Sequence, residues 1–181
     1  MLNEKMVSLG SRRSVIREIF EYGKKRKAEI GEENVFDFSL GNPDLPPPPE
    51  VKRALEEIAA HADEPFAIGY MPNAGYPALR EKLAVHISKE QNVAVPGSHV
   101  LFTCGAAGGI NVFFHAVLER GDEVICPAPY FVEYGFYAGN HGGKLVPVQS
   151  KEFTFELDLD GIEKAITAKT RAVIINTPNN P

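Results

Sequence analysis

Apolar residues recur along this chain with two different periods. From Ser11 or Ser14, either of which could cap a helix, to about Ile30, Val15, Ile16, Ile19 and Phe20 repeat at helical spacing with charges between them, and Gly31 closes the run. Residues 35–40 alternate apolar and polar positions as a short strand does. Residues 50–61 regain the helical period through Val51, Ala54, Leu55 and Ile58. A further helix is expected from Pro77, which a first helical turn tolerates, to about Asn92, with Leu79, Leu83 and Ile87 in one stripe. After Pro96 and Gly97 short β-rich runs alternate with helical ones: strand 99–104, helix 106–119, strand 123–126, helix 131–140, strand 144–148, helix 159–167 and strand 171–176. That alternation predicts an α/β fold with a parallel sheet and crossover helices.

Two segments break the pattern. Gly41, Asn42, Pro43 and Asp44 lead into Leu45 and four consecutive prolines, Pro46 to Pro49, which can neither pair in a sheet interior nor coil into a helix. A domain crossing is expected there. The second segment, 64–75, carries Phe66 and Tyr70 and ends beside Tyr76; loop tyrosines either pack on the surface or offer a hydroxyl to a ligand.

Composition narrows the class. Of 181 residues 44% are hydrophobic, enough to fill a sizeable core, so a soluble globular protein is expected. A net charge of -5 argues against a nucleic-acid partner, and Lys24, Lys25, Arg26 and Lys27 read as the solvated C-terminal end of a helix. Cys104 and Cys126 each fall in or at the end of an expected buried strand, as small hydrophobes. With no C-x-x-C and five histidines scattered singly, neither a disulfide framework nor a metal site is implied. No long apolar run suggests a leader or a membrane span, and a cytoplasmic setting is expected.

The densest chemistry lies at 100–118. A β-rich run breaks into Cys104, Gly105, Ala106, Ala107, Gly108 and Gly109 and resumes as an apolar helix. Small residues at a helix mouth leave its free N–H groups open to an anion, a phosphate above all. They would equally let the helix pack closely on a sheet. The spacing is neither G-x-G-x-x-G nor the lysine-bearing phosphate loop. In open parallel sheets ligands sit beyond the carboxyl ends of the strands, where this chain places Gly105 to Ala107, Pro127 to Tyr130 and Asn176 to Pro181.

Five segments in order, SLGNPDLPPP, IGYMPNAGYPALREKLA, FTCGAAGGINV, PAPYFVEY and INTPNNP, resemble the class I/II aminotransferases, pyridoxal-phosphate enzymes of the aspartate aminotransferase fold, from about Asp37 onward. The resemblance implies a partial three-layer α/β/α large domain over 47–181, with an N-terminal helical arm and part of a small domain over 1–46. It implies that the amides of Gly105, Ala106 and Ala107 hold the phosphate of pyridoxal phosphate and that Tyr130 stacks on its ring. It further implies that Asn180 meets its phenolic oxygen, that Tyr70 reaches the phosphate in a neighbouring subunit of a homodimer, and that the backbone of Gly41 meets the substrate carboxylate. The family's Schiff-base lysine and its ring-nitrogen and arginine partners match positions beyond Pro181. No catalytic residue is therefore implied within this chain, and Lys144, Lys151, Lys164 and Lys169 are not candidates. The expectation is an N-terminal portion of an enzyme that moves amino groups between amino acids and 2-oxo acids, inactive alone. The alternatives are a lyase or synthase on the same scaffold, or a truncated chain that binds a phosphate ligand without catalysis. Because the family's sheet has strands between the first and the others, 123–126 is expected to pair with both 144–148 and 171–176, and 99–104 with none of them.

Overall fold

The computed structural model describes residues 2–11, 15–39, 41 and 45–180. The chain forms two compact units, Met1–Gly69 and Tyr70–Pro181.

The first unit holds helices α1 (Glu4–Ser11), α2 (Val15–Ile30) and α3 (Pro49–Ala60). The Ser11 hydroxyl donates to the carbonyl of Val7 at 2.7 Å, so Ser11 finishes α1 and does not open α2; Ser14 lies outside the described residues. Gly31 ends α2 as its position predicts. With φ at 92° it takes a backbone turn that side chains resist, and its amide donates to Lys27 O at 3.0 Å. The Asn34 side-chain amide then donates to Ile30 O at 2.7 Å, taking up one of the free carbonyls of the helix end. The strand expected at 35–40 is absent over 35–39, and residue 40 lies outside the described residues. Its alternation is present, but the segment has no ladder partner among the described residues, and Phe36 and Phe38 stand exposed. Asp37 instead organises this segment, accepting from the Ser39 amide at 3.0 Å and the Ser39 hydroxyl at 2.7 Å, with Lys27 Nζ 3.5 Å away. These donors, the Ser39 hydroxyl foremost, hold its carboxyl below the ordinary aspartate range.

The second unit opens with α4 (Pro77–Gln91), which has Pro77 at its first position and Asn92 in the left-handed conformation just past its end. The strand expected at 99–104 is a correction. A 3-10 turn covers Gly97–His99, Val100 is extended, and 100–103 lie outside any sheet. Part of their backbone is bonded locally: Arg80 Nε donates to Val100 O at 2.7 Å, and the Phe102 amide to Ala74 O at 3.3 Å.

Helix α5 (Gly105–Val117) follows, then β1 (Glu123–Ala128), α6 (Glu133–Asn140), β2 (Lys144–Gln149), α7 (Leu159–Ala165) and β3 (Thr170–Val173). The strands form one parallel sheet in the order β2-β1-β3, so 123–126 pairs with both neighbours and 99–104 with neither, as the resemblance implied. Central β1 explains its own sequence: Val124, Ile125 and Cys126 are a continuous apolar run because both faces of the strand are covered. Val124 and Cys126 pack with Phe114 and Leu118 of α5 and with Tyr134, Tyr137 and Ala138 of α6. The crossover to β2 steps one way from β1 and the crossover to β3 steps back past it. Right-handed connections therefore put α6 and α7 on opposite faces, giving three layers, and α7 rests on β2 and β1.

Candidate functional site

A short link joins α5 to β1, so the helix runs back antiparallel to the strand and its N-terminus lies at the level of the strand's carboxyl end. Gly105 opens α5 with φ at 69°, a conformation that favours glycine, although a Cβ there would touch nothing within 4 Å. Backbone geometry, not lack of space, requires the glycine. The Gly105 amide donates to Thr103 O at 3.0 Å, and the Thr103 hydroxyl donates to Gly105 O at 3.1 Å. The next two amides, of Ala106 and Ala107, meet no acceptor among the described residues, and all three residues are exposed. Of the two readings of this small-residue turn, close packing on the sheet does not describe Gly105, Ala106 or Ala107. Two free N–H groups at the positive end of a thirteen-residue helix fit an anion.

Beyond the sheet two further segments converge. After β1 the chain passes through the cis Ala128–Pro129 bond to Tyr130, which is half-buried against the core cluster. After β3, Ile174 keeps the ladder going with a bond from its amide to Ile125 O at 2.9 Å, and the chain reaches the cis Thr177–Pro178 bond, Asn179 and Asn180. The Asn179 side-chain amide donates to Pro129 O at 2.8 Å and ties the two segments together. Asn180 is exposed beside it, so Tyr130 and Asn180 share one end of the sheet. Sequence reasoning singled out Asn180 and missed the tie made by Asn179. The repeated Asn of INTPNNP was the available signal, but its partner lies 50 residues away.

Next to this junction a cleft of about 530 Å³ is lined by Ala128, Pro129, Ser150, Lys151, Phe153 and Phe155, among others. Sequence reasoning singled out Ala128 and Pro129, within Pro127 to Tyr130, but not the part of the lining contributed by Gln149 to Phe155. Phe153 and Phe155 have positive φ, 64° and 56°, and Lys151 Nζ pairs with Glu156 at 3.2 Å. Tyr70 is fully exposed. Gly41 belongs to the first unit, where a Cβ would meet nothing within 4 Å. The cysteines divide. Cys126 is buried and its thiol is pushed up to about 11 by burial. Cys104, expected in a buried strand, is exposed at the mouth of α5, because the segment before it is not part of the sheet. Among the described residues no group of three metal-ligating side chains occurs, and no helix is long and apolar enough to cross a membrane.

The sequence profile of the family described as "Aminotransferase class I and II" matches residues 33–181. The aspartate aminotransferase of Pyrococcus horikoshii is 37% identical over 175 residues, which cover 94% of this chain and 41% of that protein. The probable aspartate/prephenate aminotransferase of Aquifex aeolicus is 36% identical over 151 residues, 82% of this chain and 37% of that one. A crystal structure of an amino transferase from Eubacterium rectale superposes with a TM-score of 0.94 at 41% identity, covering 100% of this chain and 46% of that one. This chain thus spans about two fifths of the length of the curated relatives it matches. By the family match over most of its length, with its parallel sheet and the helix mouth at that sheet's carboxyl end, the chain belongs to the class I and II aminotransferases.

Proposed function

We propose that this chain carries the phosphate-binding and ring-binding part of a pyridoxal-phosphate-dependent aminotransferase acting on amino acids and 2-oxo acids. The observation that carries this reading is the pair of exposed, acceptor-free amides of Ala106 and Ala107 behind a glycine that only its backbone conformation requires. They are the donors a phosphate monoester needs, presented without intervening side chains. Tyr130 supplies an aromatic face anchored on the core, and Asn180 an amide beside the Asn179 tie. When bound, the cofactor supplies the electron sink for chemistry at the substrate's α-carbon. The chain's own residues hold and orient it: the α5 amides fix one end, Tyr130 restrains the ring, and Asn180 donates to a ring oxygen. Gly41 offers backbone to a substrate carboxylate, and Tyr70 serves the site of a second copy in a homodimer. The lysine that carries the cofactor is not among these 181 residues, and this portion alone does not turn over. The names of the relatives favour amino-group transfer over a lyase or synthase on the same fold.

Binding of pyridoxal phosphate and of pyridoxal, followed by fluorescence, tests the reading. Two charge-assisted hydrogen bonds predict at least about a tenfold preference for the phosphorylated compound. Ala107→Glu should remove that preference while leaving the circular dichroism unchanged. Equal affinity for the two compounds would overturn it.

A further inference from the structure

At the other end of α5, away from the helix mouth, two imidazoles come together. His115 lies on α5 and His141 directly follows α6, and their ring centroids are 5.2 Å apart with the planes at 59°. His115 is exposed and His141 half-buried. One turn before His115, Asn111 directs its side-chain amide nitrogen to Ala107 O at 2.9 Å. Its oxygen is thereby left as the acceptor toward His141 Nε2 at 3.2 Å. His141 therefore donates through Nε2, which in the neutral ring leaves the lone pair on Nδ1.

We propose that His115 and His141 form a binding site for a divalent d-block cation of the zinc, nickel or copper class. Three observations converge on it. Two imidazoles bound to one tetrahedral ion, with metal–nitrogen bonds of about 2 Å, have ring centroids about 5 Å apart, which is the spacing found here. A ligating histidine characteristically gives its other N–H to an oxygen that fixes its tautomer and orientation, and Asn111 plays that part for His141. The donors are two borderline nitrogens, with no carboxylate bonded to either ring among the described residues, which suits these ions and not magnesium or calcium. The site is distinct from the anion site at the α5 N-terminus and holds independently of the proposed activity. Two protein ligands, with solvent completing the shell, make a site of modest affinity.

Calorimetric titration of the purified chain with nickel, repeated with zinc, tests this. One saturable site is expected, weakened at least about tenfold in His115→Ala and again in His141→Ala, and weakened about tenfold in Asn111→Ala. His115 is exposed, so its replacement leaves the fold intact, and circular dichroism checks this for each variant. Cys104→Ser and His61→Ala, which alter the exposed thiol and an exposed imidazole elsewhere, should leave the affinity unchanged, and magnesium should give no signal. Absence of saturable binding, binding that survives both histidine replacements, or binding lost in Cys104→Ser would each overturn the proposal.

Discussion

Asp122 is the one buried acid among the described residues, and its surroundings make it a pH-dependent fastener. Its Oδ2 accepts from the Glu119 amide at 2.8 Å and from Arg171 Nε at 3.1 Å, joining the entry of β1 to β3. These donors, the amide first, hold its carboxyl below the ordinary value of 3.8. The unfolded chain thus takes up this proton at a higher pH than the folded one. The contribution is complete above the ordinary aspartate range and fades as pH falls through the lowered folded value. Urea midpoints measured between about pH 6 and pH 3 should therefore fall with acid in the parent chain and fall less steeply in Asp122→Asn. Parallel curves would remove the assignment. Phe114, 2% exposed at the centre of the core cluster, is a simpler case, and Phe114→Ala should cost about 3–5 kcal/mol in urea unfolding. The central strand was legible, because an apolar run in a central parallel strand marks itself. Asp122 and Arg171, Asn179 and Pro129, or His141 and Asn111 were not. Each pair is 30 or more residues apart and leaves no periodic trace in either partner's neighbourhood.

The elements were legible wherever a local period sufficed. The helices from Pro49, Pro77, Gly105 and Glu133 lie within a few residues of their sequence-based ranges, since proline at a first turn and an apolar stripe are local signals. The two strands that failed, over 35–39 and 99–104, had strand-like side chains but no partner among the described residues. A strand is a relation between segments, and residues such as Ala74 and Arg80 took the backbone groups a ladder would have used. The α5 N-terminus shows the converse, where sequence left a small-residue turn with two readings and the structure adds that Gly105, Ala106 and Ala107 are exposed and that Gly105 has a φ of 69°. Gly105→Ala should lower stability by about 1–2 kcal/mol, the cost of a left-handed residue with a Cβ. A loss below a few tenths of a kcal/mol would show that the turn relaxes and that glycine is not needed there.

At the scale of the molecule, the strand order β2-β1-β3 gathers the carboxyl ends of the sheet, the Pro129–Asn179 tie and the mouth of α5 on one side. Fold class and the order of these three strands were readable from the alternation of elements and the resemblance together. A consequence of the proposed function is that pyridoxal phosphate followed by borohydride leaves no stoichiometric adduct on a single lysine. One such adduct by mass spectrometry would place the cofactor's lysine inside this chain. The proposed anion site is tested most directly by titrating the isotopically labelled chain with pyridoxal phosphate and following its amide resonances. The amides of Ala106 and Ala107 should show the largest, saturable shifts, with Tyr130 and Asn180 moving at the same ligand concentrations and pyridoxal leaving Ala106 and Ala107 in place. Saturation of other amides while those two stay unmoved would contradict the assignment of the α5 mouth as the phosphate site.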